Sequence, residues 1–152
     1  MPVKVLMVCL GNICRSPLAE GIMASLSNPD RVVVDSAGTA GYHVGNPPDP
    51  RSIAVAAAHG IDIGRQRCRK FQASDFEEFD YIFAMDLENL AHIREMARNA
   101  RERQKASLLL EAGGFGKMEV PDPYYGGEDG FQYVYDLIEQ ACRKILEHLE
   151  RN

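Results

Sequence analysis

Val3-Lys4-Val5-Leu6-Met7-Val8 leads directly into Cys9-Leu10-Gly11-Asn12-Ile13-Cys14-Arg15-Ser16-Pro17. The first six residues are an almost continuous apolar run, the pattern of a strand buried on both faces. Ser16 is a good N-cap and Pro17 a good first helical residue. Leu18, Ile22 and Leu26 then recur at helical spacing. The stretch therefore reads as strand, tight turn, helix, with Cys9 at the carboxyl end of the strand. Five residues separate Cys9 from Arg15. That length lets the backbone curl so that several N–H groups point at one centre. Such a nest favours an anion, and the helix start behind it adds partial positive charge. Arg15 can fork onto two phosphate oxygens. The same field favours a thiolate at Cys9, and Ser16 is placed to donate a hydrogen bond to it. Leu10, Gly11, Asn12, Ile13, Cys14, Arg15 and Ser16 are thus read as a phosphate-binding loop with a nucleophile at its floor. The bare Cys-to-Arg spacing is a weak signal, and an inert buried cysteine in a Gly-Asn turn is the alternative. The flanking strand and helix favour the loop.

Outward from this stretch, strand-like and helix-like segments alternate. Arg31–Asp35, with three consecutive valines, reads as a second strand, followed by a Gly- and Pro-rich loop from Ser36 to Asp49. Asp49 caps a helix that begins at Pro50 and ends at Gly60, after His59. Ser74-Asp75-Phe76-Glu77 has the form of a capping box for a short helix. Tyr81–Met85 is the third strand, Asp86 caps a helix from Leu87 to about Arg98, and Ser107–Leu110 is a short fourth strand. Phe131, Val134, Ile138, Cys142, Ile145 and Leu149 mark a long closing helix. Strands separated by helices imply parallel pairing with right-handed crossovers, hence an α/β sandwich of three layers: a four-stranded parallel sheet with helices on both faces. Ligands in such sheets sit at the carboxyl ends of strands, where strand order reverses.

A chain of 152 residues fits one domain, 1–152, with a core that needs no staple. The formal net charge of −5 gives no global pull toward nucleic acid or anionic membrane. No apolar run approaches the ~18 residues of a membrane span, and no secretory leader is expected. Four cysteines without such a leader point to reduced thiols in the cytoplasm. The Cys9-to-Cys14 spacing does not fit the usual zinc pairs, so no metal is expected. The one basic cluster, Arg65-Gln66-Arg67-Cys68-Arg69-Lys70, reads as a solvated face, with attraction of acidic peptide substrates or nucleic acid as the alternative.

A phosphate ester needs an acid on its leaving oxygen. Asp49 and Asp86 precede helical patterns and read as N-caps. Asp122 has no helical pattern behind it until Phe131, and Pro121 and Pro123 fix the backbone around its carboxyl. Spacing alone leaves a general acid and a structural Asx-turn evenly matched here.

Cys9 to Pro17, with Asp122-Pro123-Tyr124-Tyr125 far downstream, resembles the low-molecular-weight protein tyrosine phosphatases. The resemblance runs nearly the whole length. It includes Asp35-Ser36-Ala37-Gly38-Thr39, Gly45-Asn46-Pro47-Pro48-Asp49, His59-Gly60-Ile61, Phe79-Asp80-Tyr81-Ile82 and Ala84-Met85-Asp86. It implies strand order 2-1-3-4 and hydrolysis of protein phosphotyrosine through a cysteinyl-phosphate, releasing inorganic phosphate without a cofactor. It assigns the nucleophile to Cys9, the phosphate-binding guanidinium to Arg15 and the general acid to Asp122. It puts Tyr42 and Tyr124 against the substrate ring, and lets Tyr125 line the cleft or carry regulatory phosphate. His43 sits beside Tyr42 where relatives vary. Asn12, Ser16, Ser36 and His59 match a network of hydrogen bonds that holds the loop; read alone, His59 is a helix C-terminal cation. Cys14 reads either as a small apolar filler of the loop or as a resolving thiol a few residues from the nucleophile, within disulfide reach in a curled loop, a pairing the resemblance supports. A monomer is expected. The sequence departs from relatives at Gly64-Arg65 and Arg69-Lys70, where Ser-His and Arg-Gln are common. Arsenate reductases and protein-arginine phosphatases of the same fold are the rival enzymes. The former needs a cysteine relay that Cys68 and Cys142 do not obviously supply, and the latter uses threonine where this chain has Ile13. A phosphopeptide-binding module without turnover is the rival outside enzymes; the presence of Cys9, Arg15 and Asp122 argues against it.

Overall fold

The apolar run at the N-terminus becomes β1 (Val3–Cys9), paired on both sides. Parallel to it lie β2 (Val32–Gly38), in register from Val3↔Val32 to Cys9↔Gly38, and β3 (Tyr81–Ala84), from Val5↔Tyr81 to Val8↔Ala84. A short β4 (Ala106–Leu108) pairs in parallel with β3, so the order is β2-β1-β3-β4. The computed structural model describes residues 2–123 and 127–151, and the side chains of all of these except 127–129, 150 and 151.

Successive side chains of a strand point to opposite faces, and β1 feeds two cores in this way. Val5 and Met7 join Leu18, Ile22 and Met23 of α1 (Arg15–Leu26), Ala56 of α2 (Pro50–Ala58), and Val134, Ile138, Ala141, Cys142 and Ile145 of α7 (Gly127–Arg151). Leu6 and Val8 join Phe76 of α3 (Asp75–Glu78) and Leu90 and Ile93 of α4 (Leu87–Met96). Each fully buried Leu, Ile or Met contributes about 1.5–3 kcal/mol. Two further single-turn helices, α5 (Ala100–Gln104) and α6 (Leu109–Ala112), flank β4. Among the described residues, no helix is long and apolar enough to cross a membrane.

Several boundaries differ from the sequence expectation. The second strand does not stop at Asp35 but continues through Ser36 and Ala37 to Gly38, because it stays paired with β1 to Cys9. The fourth strand ends at Leu108, and Leu109 and Leu110 open a helical turn. The closing helix begins at Gly127, one turn before its apolar stripe. The capping box at Ser74 does not form: Ser74 is itself in helical conformation and its side chain makes no cap. Asp75 instead accepts from Gln72 N and pairs with Arg69. Asp49 and Asp86 do cap their helices, accepting from Arg51 N and Asn89 N at 2.8 Å each.

Candidate active site

The first helix begins at Arg15, not Pro17, with Cys14 as its N-cap. Ser16 therefore lies inside the first turn, where its hydroxyl is not needed by the backbone. It is fully buried and sits 3.0 Å from Cys9 Sγ. Between β1 and α1 the chain curls through Asn12, which has φ +58°, a left-handed conformation that asparagine tolerates better than most residues. Among the described residues, the backbone N–H groups of Leu10, Gly11, Asn12 and Ile13 have no protein acceptor. Open N–H groups beside a helix start form an anion-binding nest. The loop also lies at the carboxyl end of β1, flanked by β2 and β3, which is the switch point of the sheet.

Three neighbours hold the curl. Gly38, at the end of β2, lets the loop come close: a Cβ there would stand 2.8 Å from Leu10 O and 3.0 Å from Asn12 N. The Asn12 amide donates to Ser16 Oγ at 2.8 Å and Ser36 Oγ at 3.0 Å, and its oxygen accepts from Arg69 N at 3.0 Å. Beneath the loop the buried Cys68 thiol donates to Asn12 O at 2.8 Å. Burial and nearby Cys9 push the Cys68 thiol up, which keeps it protonated as a donor.

Arg15 is almost buried. Its Nη1 donates to Asp86 Oδ2 at 3.0 Å and to Val120 O at 2.9 Å. Asp86 thus caps α4 with one oxygen and holds the guanidinium with the other. Among the described residues, the Nε and Nη2 groups of Arg15 meet no protein acceptor, so the rest of the fork is open to a ligand. The segment that carries Asp122 is tied to the same frame, since Val120 N donates to Met85 O at 2.7 Å. One cavity of about 170 Å³ brings the parts together: Cys9, Cys14 and Arg15 with Leu10, Gly11 and Ile13 of the loop, then Asp122, Tyr42 and His43 at its sides. Tyr42 is 79% exposed, and the His43 ring lies over Gly11, its Cδ2 3.1 Å from where a Cβ would be. None of the four cysteines is joined in a disulfide. Tyr124 and Tyr125 lie outside the described residues.

His59 is the exception among the expected loop supports. Its ring stacks on Tyr135 at 3.9 Å between centroids and bonds Gln132, both on α7. It closes α2 against α7 and takes no part in the network of Asn12. The basic cluster is also not a uniform solvated face. Arg69 pairs with Asp35 and Asp75, while Arg65, Arg67 and Lys70 are exposed. Besides Cys68 and Arg69 beneath the loop, two residues escaped the sequence reading. One is Asp86 in its second task. The other is Glu20, which accepts from Ser36 Oγ at 2.6 Å. Burial pushes the Glu20 carboxyl up to about 7, with Asp35 adding to the shift and Ser36 and Arg69 opposing it. Its position one turn after Ser16 was the available signal.

A sequence profile of the low molecular weight phosphotyrosine protein phosphatases matches residues 4–152. The chain is 44% identical over 153 residues to the low molecular weight phosphotyrosine protein phosphatase of Schizosaccharomyces pombe, covering 97% of each. Its structure is similar to that of a protein tyrosine phosphatase from Entamoeba histolytica, with TM-score 0.89 and 40% identity over 98% of this chain and 97% of that one. It is also similar to a Drosophila arginine phosphatase, with TM-score 0.88 and 37% identity over 96% and 97%.

Proposed function

Because the chain belongs to the low molecular weight phosphotyrosine protein phosphatase family, we propose that it hydrolyses protein phosphotyrosine in two steps at Cys9. The cavity shared by Cys9, Arg15 and Asp122 is the observation that carries this reading. The Cys9 thiolate attacks phosphorus in line, the S–P bond forms and the bond to the phenolic oxygen breaks. Asp122 gives its proton to that oxygen. The resulting carboxylate then takes a proton from water as it attacks phosphorus, the S–P bond breaks, and inorganic phosphate leaves. Acid–base assistance of this kind is typically worth about 10²–10⁴-fold. The open N–H groups of the loop and the free nitrogens of Arg15 hold the equatorial oxygens, most strongly as charge redistributes in the transition state. No step calls for a metal or organic cofactor.

Substrates are phosphotyrosine-bearing proteins. Cys9 is 3% exposed and shares its cavity with Tyr42, so the longer, flat side chain of tyrosine is expected to deliver its phosphate to the sulfur far better than serine. The protein acts as a single domain over 1–152, a monomer in the cytoplasm, with neither nucleic acid nor membrane as partner. The cysteines without disulfides and the net charge of −5 support that setting. The likeness to an arginine phosphatase favours one further reading, dephosphorylation of arginine; Ile13 at the loop argues for tyrosine. Turnover of matched phosphotyrosine, phosphoserine and phosphoarginine peptides decides between them. Phosphotyrosine is expected to dominate, and Cys9→Ser is expected to abolish turnover while still binding vanadate. Comparable efficiency on phosphoserine, or wild-type rates in Cys9→Ser, rejects the scheme.

A further inference from the structure

We propose that the substrate cleft continues past the catalytic cavity into a second one, where Glu88 and Glu119 take the side chain of a lysine or arginine that flanks the phosphotyrosine. The proposal deepens the phosphotyrosine reading of the Cys9 site and rests on it.

The second cavity holds about 260 Å³ and shares Leu10, Arg15 and Asp122 with the first. A peptide whose phosphotyrosine fills the first cavity therefore has its flanking residues at the mouth of the second. The sheet order β2-β1-β3 sets the two flanks of Cys9 apart. The loop after β2 brings Tyr42 and His43 to one flank. The turn after β3 brings Glu88, in the first turn of α4, to the other, and Glu119 joins it from the segment that leads to Asp122. Tyr42 and His43 line only the first cavity, and Glu88 and Glu119 only the second.

The side chain that fits follows from which charges are already met. Arg15 lines both cavities, but Asp86 holds its guanidinium at 3.0 Å and a bound phosphate takes the rest of its fork. Asp86 is occupied in turn, one oxygen by Arg15 and the other by Asn89 N. Glu119 accepts from Leu87 N with one oxygen. Among the described residues, no cation pairs with Glu88 or Glu119, and both are exposed. Their two charges set the field of the second cavity. The opposite flank has the other sign: Lys70 lies beside the loop of Tyr42, its Cδ 3.6 Å from where a Cβ of Gly41 would be. A cationic side chain of the peptide is drawn to the α4 flank and turned from the Tyr42 flank, which gives the peptide a direction across the mouth. Leu10, 49% exposed on the shared rim, offers an apolar surface to the methylenes of a lysine or arginine stem.

The test is a panel of phosphotyrosine peptides with a single lysine, norleucine or glutamate at one of the two positions on either side of the phosphotyrosine. Norleucine keeps the stem of lysine without its charge. Wild type, Glu88→Gln, Glu119→Gln and Glu88→Lys are compared by steady-state kcat and KM. At about 20 mM salt, wild type is expected to favour lysine over norleucine about three- to tenfold in kcat/KM, on one side of the phosphotyrosine only, and to lose the preference at about 0.5 M salt. The gain is expected in KM with kcat unchanged, because the pair forms equally in the ground state and the transition state. Each glutamine variant is expected to lower the preference about two- to threefold. Glutamine at 119 keeps an oxygen for Leu87 N, so its effect is one of charge. Glu88→Lys is expected to reverse the preference, favouring glutamate over lysine, which a purely structural loss would not do. Three outcomes overturn the proposal and leave the phosphatase reading standing: lysine no better than norleucine at every position, equal gains on both sides, or a preference unchanged in Glu88→Lys. Failure of the wild type to turn over any of the phosphotyrosine peptides overturns both.

Discussion

Replacing Glu20 by glutamine is expected to change the pH dependence of stability in a direction and amount that follow from its surroundings. The carboxyl is half-buried against β2 and its ordinary value of 4.5 is pushed up to about 7, with burial as the largest cause. The folded protein therefore holds this proton over a range in which the unfolded chain releases it. A raised acid contributes its stability in full below about pH 4.5 and loses it as pH rises to about 7. Between pH 5 and pH 8, linkage puts the loss at about 2–3 kcal/mol, and solvent around the exposed part of the carboxylate reduces it to roughly 2 kcal/mol. The glutamine of the variant has no proton to lose, and it keeps the oxygen that Ser36 needs. The wild type is thus expected to fall relative to the variant by roughly 2 kcal/mol across that interval, or about 4–8 °C in melting temperature for a chain of this size.

The assay is urea unfolding of both proteins in matched buffers at pH 5, 6, 7 and 8. Every other titrating group is common to the two and cancels in the difference. A difference that is flat with pH would mean that Glu20 is solvated as an ordinary surface carboxylate. A difference of opposite sign would mean that Arg69 holds the carboxylate ionised, and either result refutes the reasoning from burial.

Other expectations concern the loop and its partners. Asp122→Asn should slow a phosphotyrosine peptide far more than an ester with a strongly acidic leaving group, in a side-by-side steady-state comparison; equal losses would make Asp122 structural. Gly38→Ala should drive a methyl into Leu10 O and Asn12 N, costing about 1–3 kcal/mol in a thermal melt and roughly tenfold or more in kcat/KM; wild-type kinetics would show that the loop shifts freely. Mild peroxide should inactivate the enzyme through a Cys9–Cys14 disulfide that dithiothreitol reverses, and Cys14→Ser should make the damage irreversible. Mass spectrometry without that cross-link, together with full recovery of Cys14→Ser, would reject the pairing.

The strand, loop and helix from Val3 to Leu26 are legible because their signals are local: an apolar run, a turn, and helical spacing. The same holds for Asp49 before Pro50 and for the stripe of α7. What the sequence hides depends on contacts between distant segments. Ser16 reads as a cap because the side chains that cap helices are also those that donate to a sulfur; only the position of Cys9 distinguishes the two. Ser36 reads as the start of a loop because nothing in its neighbours reveals that Gly38 pairs with β1 on one side and Lys70 on the other. The segment around Cys68 and Arg69 has the composition of a charged surface, yet it runs beneath Asn12, with Phe71 N donating to Gly38 O. His59 shares a motif with relatives, but a motif gives no direction, and its ring faces α7.

These long-range ties give the anion-binding loop its shape. Among the described residues, the loop leaves the N–H groups of four consecutive residues without a protein acceptor beside a nearly buried guanidinium, while its carbonyls accept from Thr39, Ala40 and Asp49. Among the described residues, Asp86 and Val120 O hold the guanidinium by one nitrogen, Nη1. Arg69 N, Ser36 and Cys68 hold Asn12 by its side chain and carbonyl, and none of them uses its backbone N–H. The supports all grip the loop from behind. They fix its shape while leaving its inner donors free, so preorganisation for a phosphoryl group is supplied by β2, α4 and the segment under the loop rather than by the ligand. That separation of grip from function is why the residues that hold the loop, Glu20 and Asp86 among them, lie outside the motif that first revealed it.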